Sequence, residues 1–410
     1  MLTYRPGTVY GSSKPQFNAY VGQTPRVPVN QQPNQNITRA PQLPRALNYL
    51  ADYSGCGYWR MGWPEQGLTA YQKMIIHGST CMIKDKDYYG GVKSVRVQRQ
   101  ASPHQKMFFN FLRKVSEEIG FRLIYEIDDI VFHEDIPDYN KYKPAFADPQ
   151  TRDNIVSMMC ASDEITCTCD FMKDYYQSKT GNPNITVVPN YPPRWWLDGF
   201  YDEERLQINY DRHVKKRKQP RVLWAGSGAH FDTDNRANQQ DDFSMITDVV
   251  IKTRNKFKWV FVGGYPRMLH DLVKSGHVEY HEWQPLYDIP RFIHSLKVNA
   301  MIAPLIDNTF NRAKSSIKYT EACAYGLPIS CQDMVTYNDA QFKFNTPQEM
   351  VDQLDYFFKD KQHYMKLCRK ARLAIEDQWL EDHLDEYVEL YTLPYAHPDR
   401  KNLNKINHIK

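Results

Sequence analysis

A chain of 410 residues exceeds what one hydrophobic core usually supports, so two or more domains are expected. Its 41% hydrophobic and 24% charged content is ordinary for a globular protein, and no window approaches the roughly 18 uninterrupted apolar residues of a membrane helix, which argues against integral membrane association. The net charge of +4 is small but unevenly placed: residues 1–51 hold no Asp or Glu and carry Arg5, Lys14, Arg26, Arg39 and Arg45.

Residues 1–44 are rich in Pro, Gln, Asn and Gly, the composition of an extended arm or of a segment draped over a domain. Its basic charge suits an anionic partner such as nucleic acid, or else belongs to a solvated tail. The opening MLTYRPGTVYGSSKPQ lacks the apolar stretch of a secretory signal, so a cytoplasmic protein is expected. A first domain is expected over 45–190. It opens with the strand ALNYLADY, from Ala46, and a glycine-bearing turn, SGCGYWRMGWPEQGL. TAYQKMII and STCMIK are helix and strand candidates, SVRVQRQA alternates as a strand, and PHQKMFFNFLRKVSEEIG reads as a helix stopped at Gly120. The strand FRLIYEIDDI follows. NIVSMMCASDEITCTCDFMKDYYQSKTG then gives helix, strand and helix, and NITVVPN a further strand.

Residues 191–220 carry prolines, Arg194, Trp195, Trp196 and most of the basic run HVKKRKQPR (213–221), without sheet periodicity, and read as an interdomain linker. A second alternating series over 221–345 runs from the strand RVLWA through a glycine loop, the helix DDFSMITDVVIKTRN and the strand KWVFVGG to GLPISCQ. Residues 346–392 read as helices and 393–410 as a tail. Alternation of this kind predicts an α/β fold of two parallel, Rossmann-like sheets, with ligands beyond the carboxyl ends of the strands in a central cleft. The eight cysteines are scattered, and the cluster Cys160, Cys167 and Cys169 has no paired histidines at zinc spacing. Free thiols are expected, and no metal.

The densest chemistry lies in VNAMIAPLIDNTFNRAKSSIKYTEACAYGLPIS, residues 298–330. A strand ends at Pro304, a polar loop follows, and a helix opens near Ser315, which can cap it. Arg312 and Lys314 stand beside that helix start, with Ser316 in its first turn, an arrangement that suits a phosphate. Glu321, in the same helix, can accept two hydroxyls as from a ribose, or is simply solvated. Gly226, Ser227 and Gly228 allow backbone N–H groups to approach a diphosphate. In LIYEIDDIVFHED (123–135) an apolar strand runs into Glu126, Asp128 and Asp129. Strand alternation points Asp128 and Asp129 differently, so one faces the cleft while the other caps a turn, or both are caps.

KSSIKYTEACAYGLPIS resembles the nucleotide-sugar segment of the group 1 glycosyltransferases of GT-B fold, and pieces over about residues 46–390 follow in the family's order. GCGYWRMGWP resembles the glycine-rich N-terminal segment of some members, which puts Gly57, Tyr58 and Arg60 on the acceptor side. WAGSGAH resembles the loop that opens the donor domain. HEWQPLYDIPRFIHSLKVNAMIAPL resembles the base-binding stretch, which puts His281 and Trp283 near a uracil-type base. The resemblance implies a two-domain GT-B fold with C-terminal helices packing back on the first domain. It implies transfer from a nucleotide sugar, a UDP-sugar foremost, with retention of configuration and no required cofactor.

Many relatives carry two glutamates with seven residues between them. The position that pairs with Glu321 is Ala313, so the first glutamate is absent and the sugar's identity is not readable from that pair. YEIDD resembles the strand end of the phage glycosyltransferases that modify hydroxymethylcytosine in DNA, which matches their Asp to Asp128 and their His to Ile127 and so favours Asp128 over Asp129 as the acid that faces the sugar. A cleft carboxylate there deprotonates an acceptor hydroxyl or orients the sugar. Two acceptors are in view. One is double-stranded DNA with modified bases, for which Arg194, Trp195, Trp196 and the run 213–221 offer contacts, in a host cytoplasm if the protein is phage-encoded. The other is a glycan or lipid-linked acceptor, for which FNFLRKVSEEIGFR is a weak amphipathic membrane face. A non-catalytic sugar-nucleotide or DNA-binding module is the third reading.

Overall fold

The computed structural model describes residues 42–232 and 240–394. The proposed arm, save 42–44, and the tail beyond 394 lie outside the described residues. Among the described residues, twelve strands form two all-parallel sheets of six. The first contains β1 (Arg45–Tyr49), β2 (Ile75–Ser79), β3 (Val92–Gln98), β4 (Arg122–Glu126), β5 (Glu164–Cys167) and β6 (Ile185–Val187), in the order β2-β1-β3-β4-β5-β6. The second contains β7 (Arg221–Ala225), β8 (Lys258–Val262), β9 (Glu279–His281), β10 (Ala300–Ala303), β11 (Ile329–Gln332) and β12 (Lys343–Phe344), in the order β12-β11-β10-β7-β8-β9. The order of strands reverses between β1 and β3 in the first sheet and between β7 and β10 in the second. Those switch points open crevices at the carboxyl ends, where ligands of such sheets sit.

Helices cover both faces, as parallel strands buried on two sides require. The helix Pro103–Ile119 starts with a capping box between Ser102 and Gln105 and stops at Gly120, whose φ of 90° few other residues adopt. Residues 191–220 are largely helical, over Arg194–Leu197, Glu203–Tyr210 and the wide turn Asp211–Lys216. Leu206 and Tyr210 are buried there, a short apolar stripe that the prolines and basic run obscure in the sequence. The expected glycine turn at 54–68 is also helical, in three consecutive pieces from Gly55 to Ala70. Its glycines serve close packing: a Cβ on Gly57 would collide with the Asp52 carbonyl, and one on Gly62 would stand 2.8 Å from the Tyr58 ring.

The C-terminal helices divide. Pro347–Phe357 and Lys361–Leu373 pack on the second sheet, burying Met350, Leu354 and Phe357 beside Phe344 and Ile302. Only the segment ending in the helix Leu384–Thr392 returns to the first sheet. There Tyr391 Oη donates to Asn48 Oδ1 at 2.8 Å and Arg122 Nη1 donates to the Leu390 carbonyl at 2.7 Å.

Candidate active site

The acidic strand end resolves into three environments. Register pairs Gln98 with Glu126 and Glu126 with Thr166, so Glu126 shares a sheet face with Arg96. Fully buried, it accepts from Arg60 Nε at 2.5 Å, from Arg96 and from Thr166. Burial favours its neutral form, but the two guanidinium charges outweigh that and hold its pKa below the usual range. Asp128 lies past the strand, its Oδ1 3.6 Å from Arg99 Nη1. Arg99 in turn donates to Asp52 Oδ2 at 3.0 Å, and Asp52 holds the turn at Ser54 and Gly57. Burial first, then Asp128, push the neighbouring Cys56 thiol well up. Asp129 meets the other domain: burial raises its pKa, and the Lys314 charge, from beyond β10, pulls it back.

On the second domain, β7 delivers Gly226, Ser227 and Gly228 to the crevice beside β10. A Cβ on Gly226 would stand 2.7 Å from the Trp224 ring and 3.3 Å from Lys318 Nζ, so the loop lies directly against a lysine. The helix Ile317–Ala324 carries Lys318 and Glu321 one turn apart. Burial pulls Lys318 down to about 8, and burial pushes Glu321 up to about 7, against the pull of Lys318. Glu321 is half-buried, and its carboxylate makes no side-chain hydrogen bond or ion pair among the described residues. Lys314 makes no ion pair among the described residues; its Nζ stands 4.6 Å from the Phe310 ring centre.

Several predicted residues therefore gather: the Gly226–Gly228 loop, Lys314 and Glu321 on one side, Asp129 on the other, with Asp128 behind it. Ser315 joins the domains differently from the cap expected of it. The helix begins one residue later, at an N-cap Ser316 whose side chain makes no cap bond, and Ser315 Oγ accepts from Asn190 Nδ2 at 2.9 Å. Arg312 is exposed and doubly bonded to Asp307, at 2.6 and 2.7 Å, away from the loop. Arg60 does not face open space: at 1% exposure it serves Glu126, the Val188 carbonyl and Asn190. Gly57 is buried in the helical turn. Tyr58 meets Tyr287 of the second domain edge-on, ring centres 5.3 Å apart. The His281 ring bonds Glu279 at 2.8 Å, whereas Trp283 is 51% exposed and lies against Gly263, in a position to stack. Arg194 pairs with Asp382 at 2.8 Å and Trp196 is buried, leaving Trp195 as the exposed member of that trio.

The sequence reading missed Lys318, His230, Arg99 and Lys141. Lys318 stands three residues before Glu321, a helical spacing that marks it for the same face. His230 closes the turn after the glycine loop, and Lys141, from the first domain, reaches within 3.7 Å of where a Cβ on Gly228 would stand. Among the described residues no three His, Cys, Asp or Glu side chains gather as a metal site, and no helix is long and apolar enough to cross a membrane.

No family model matches the chain, and no curated protein does. Some solved structures share the layout of strands and helices. They include TarM from S. aureus, at 11% identity over 75% of this chain and 55% of that one, with a TM-score of 0.49. A T4 phage BGT mutant in complex with UDP-glucose shares 9% identity over 86% and 99%, with a TM-score of 0.48. The glycosyltransferase SnogD from Streptomyces nogalater shares 9% over 85% and 100%, with a TM-score of 0.37. The chain thus spans about half the length of TarM. Likeness at this level concerns the layout of strands and helices and says nothing of substrate.

Proposed function

We propose that the protein is a glycosyltransferase that moves a sugar from a nucleotide-sugar donor, a UDP-sugar foremost, to a hydroxyl acceptor with retention of configuration. The observation that carries this reading is the apposition across the crevice. Lys318 lies against Gly226 of the glycine loop and Lys141 against Gly228, the unpaired Glu321 carboxylate stands in the helix that carries Lys318, and the Lys314 charge acts on Asp129 of the first domain. In this reading the loop N–H groups and the lysines take the diphosphate, Glu321 accepts the ribose hydroxyls, Trp283 stacks on the base, and Asp129, with Asp128 beside it, receives the acceptor proton or orients the sugar.

For the acceptor the reading is hydroxymethylated cytosine in double-stranded DNA. Support comes from the acid-free basic stretch 1–51 and from the exposed run Lys215, Lys216, Arg217 and Lys218. The glycan or lipid-linked alternative loses one support: the amphipathic helix weighed for a membrane face buries Phe108, Phe109 and Leu112 in the first-domain core. The test is incubation with radiolabelled UDP-sugars and hydroxymethylcytosine DNA, unmodified DNA or envelope glycans. Label on the modified DNA alone is expected, with the anomeric coupling of the product reporting retention. Transfer only to glycan ends the DNA reading. Transfer to nothing, with no UDP binding, ends the glycosyltransferase reading.

A further inference from the structure

His230 is 7% exposed and its Nδ1 lies 2.6 Å from Asp242 Oδ2. Asp242 is 3% exposed, and its other oxygen accepts from Tyr139 Oη at 2.9 Å, Asn311 Nδ2 at 2.6 Å and the Ile306 amide at 3.0 Å. Burial opposes its charge, but His230, the Ile306 amide and the Lys314 charge outweigh burial and hold the carboxyl pKa below the ordinary range. An ionised Asp242 fixes the imidazole proton on Nδ1 and leaves the Nε2 lone pair free to accept. Burial first, then the Lys318 charge, hold the ring down at about 3, so it is neutral. Nε2 stands 3.4 Å from Lys318 Nζ. The lysine is thus gripped by a neutral acceptor and by the face of Trp224, whose ring centre is 5.4 Å away. Neither cancels its charge, as a carboxylate in place of the imidazole would. The same ammonium lies against Gly226 of the loop.

We infer that His230 and Asp242 are positioning residues that aim an unneutralised Lys318 at an anion on the Gly226–Gly228 loop, and that Tyr139 makes this aim depend on contact between the two domains. The inference rests on the donor reading above, with the anion a diphosphate. Tyr139 belongs to the segment after β4, on the first domain, while Asp242, Asn311 and His230 belong to the second. Its hydroxyl also accepts from Asn311 Nδ2 at 2.9 Å. If the domains part, Asp242 loses one of its donors, and the ring that holds Lys318 loses part of its anchor.

The test is titration calorimetry of the full chain with UDP, using His230→Leu, His230→Gln and Tyr139→Phe, each with its melting curve recorded. His230→Leu removes the acceptor for Lys318 and is expected to weaken UDP binding by about tenfold or more, the worth of one charge-assisted hydrogen bond. His230→Gln supplies an amide oxygen to the same ammonium and should stay within about threefold of wild type. Tyr139→Phe removes one hydroxyl and should weaken binding by about threefold to tenfold. Wild-type protein that binds no UDP fails the donor reading, and this inference falls with it. Wild-type protein that binds UDP while His230→Leu binds as tightly overturns the inference alone. A His230→Gln loss as large as that of His230→Leu assigns the ring a purely structural role and overturns it too. Tyr139→Phe at wild-type affinity removes the interdomain coupling. Should His230→Leu fail to fold, a loss of about tenfold or more in His230→Gln overturns the positioning role, and Tyr139→Phe at wild-type affinity still removes the coupling.

Discussion

Asp128 and Asp129 leave β4 together, and replacing each by Asn separates their roles. Asn keeps the shape and removes the charge. Asp129 is the acid that faces Lys314, and burial has already lifted its pKa, which improves a carboxylate as a base. Its loss should lower turnover at saturating donor by about 10²- to 10⁴-fold, the usual range for one general base, or about 3–5 kcal/mol of barrier. UDP affinity should hold or rise, because the carboxylate competes with a diphosphate for Lys314. Asp128 instead stands 3.6 Å from Arg99, which Asp52 also holds. Asp128→Asn should cost about 1–2 kcal/mol of stability and less than about tenfold in turnover. The assay is UDP release with saturating donor across pH. In the proposed role Asp129 acts deprotonated, so the acid limb of the wild-type profile should lie above the ordinary aspartate value and vanish in Asp129→Asn. A larger turnover loss from Asp128→Asn, or an acid limb unchanged in Asp129→Asn, refutes the assignment.

Glu126→Gln leaves two buried guanidinium groups facing a neutral amide and should cost about 3–5 kcal/mol, read as a lower urea midpoint at unchanged slope. Gly57→Ala forces a methyl against the Asp52 carbonyl and should cost about 1–3 kcal/mol, whereas Gly55→Ala, with open space around it, should be near neutral; equal effects would show that the turn is loose. Glu321 has its pKa raised to about 7 from an ordinary 4.5, so the folded state holds a proton that the unfolded chain has released. Its contribution is therefore present below pH 4.5 and lost as pH rises through about 7, amounting to no more than about 3 kcal/mol, and Glu321→Gln should flatten that slope in melts of the unliganded protein. Trp283→Ala should weaken UDP binding by about 1–2 kcal/mol, the worth of a partly exposed stacking contact, and leave turnover at saturating donor intact.

The periodic parts of the fold were legible because burial writes them into the sequence. VRVQ, LIYE and VLWA sit where apolar runs placed them, and Gly120 stops its helix as a left-handed glycine should. The misreadings share a cause. Gly57 and Gly62 read as breakers, yet they are small residues under close neighbours inside a helical stretch, and one-dimensional reading does not separate the two uses. Arg60 read as an acceptor contact because its buried partner, Glu126, lies 66 residues away, and such a pairing is set by sheet order alone. His230 and Lys318 were overlooked for the same reason: their meeting depends on β7 and the helix after β10 sharing one crevice.

The strand end itself shows how structure and site are joined. Glu126, Asp128 and Asp129 occupy consecutive stages on the way out of the sheet. Glu126 points to the face of Arg96, while Tyr125 and Ile127 point to the opposite, apolar face with Val95, Val97 and Ile165. A slip of one residue in β4 would carry Glu126 into that apolar cluster and leave Arg60 and Arg96 without their acid, a cost of several kcal/mol on each side. The buried ion cluster therefore pins the register, and the register fixes how far beyond the sheet Asp129 stands. The same cluster reaches the other domain, since Arg60 donates to Asn190 Oδ1 at 2.8 Å and Asn190 donates onward to Ser315. Weakening Glu126 should then lower turnover even under conditions where the chain stays folded, because it loosens both Asp129 and the start of the helix that carries Lys318 and Glu321. A folded Glu126→Gln protein with wild-type turnover would show that the site is held by the loops alone.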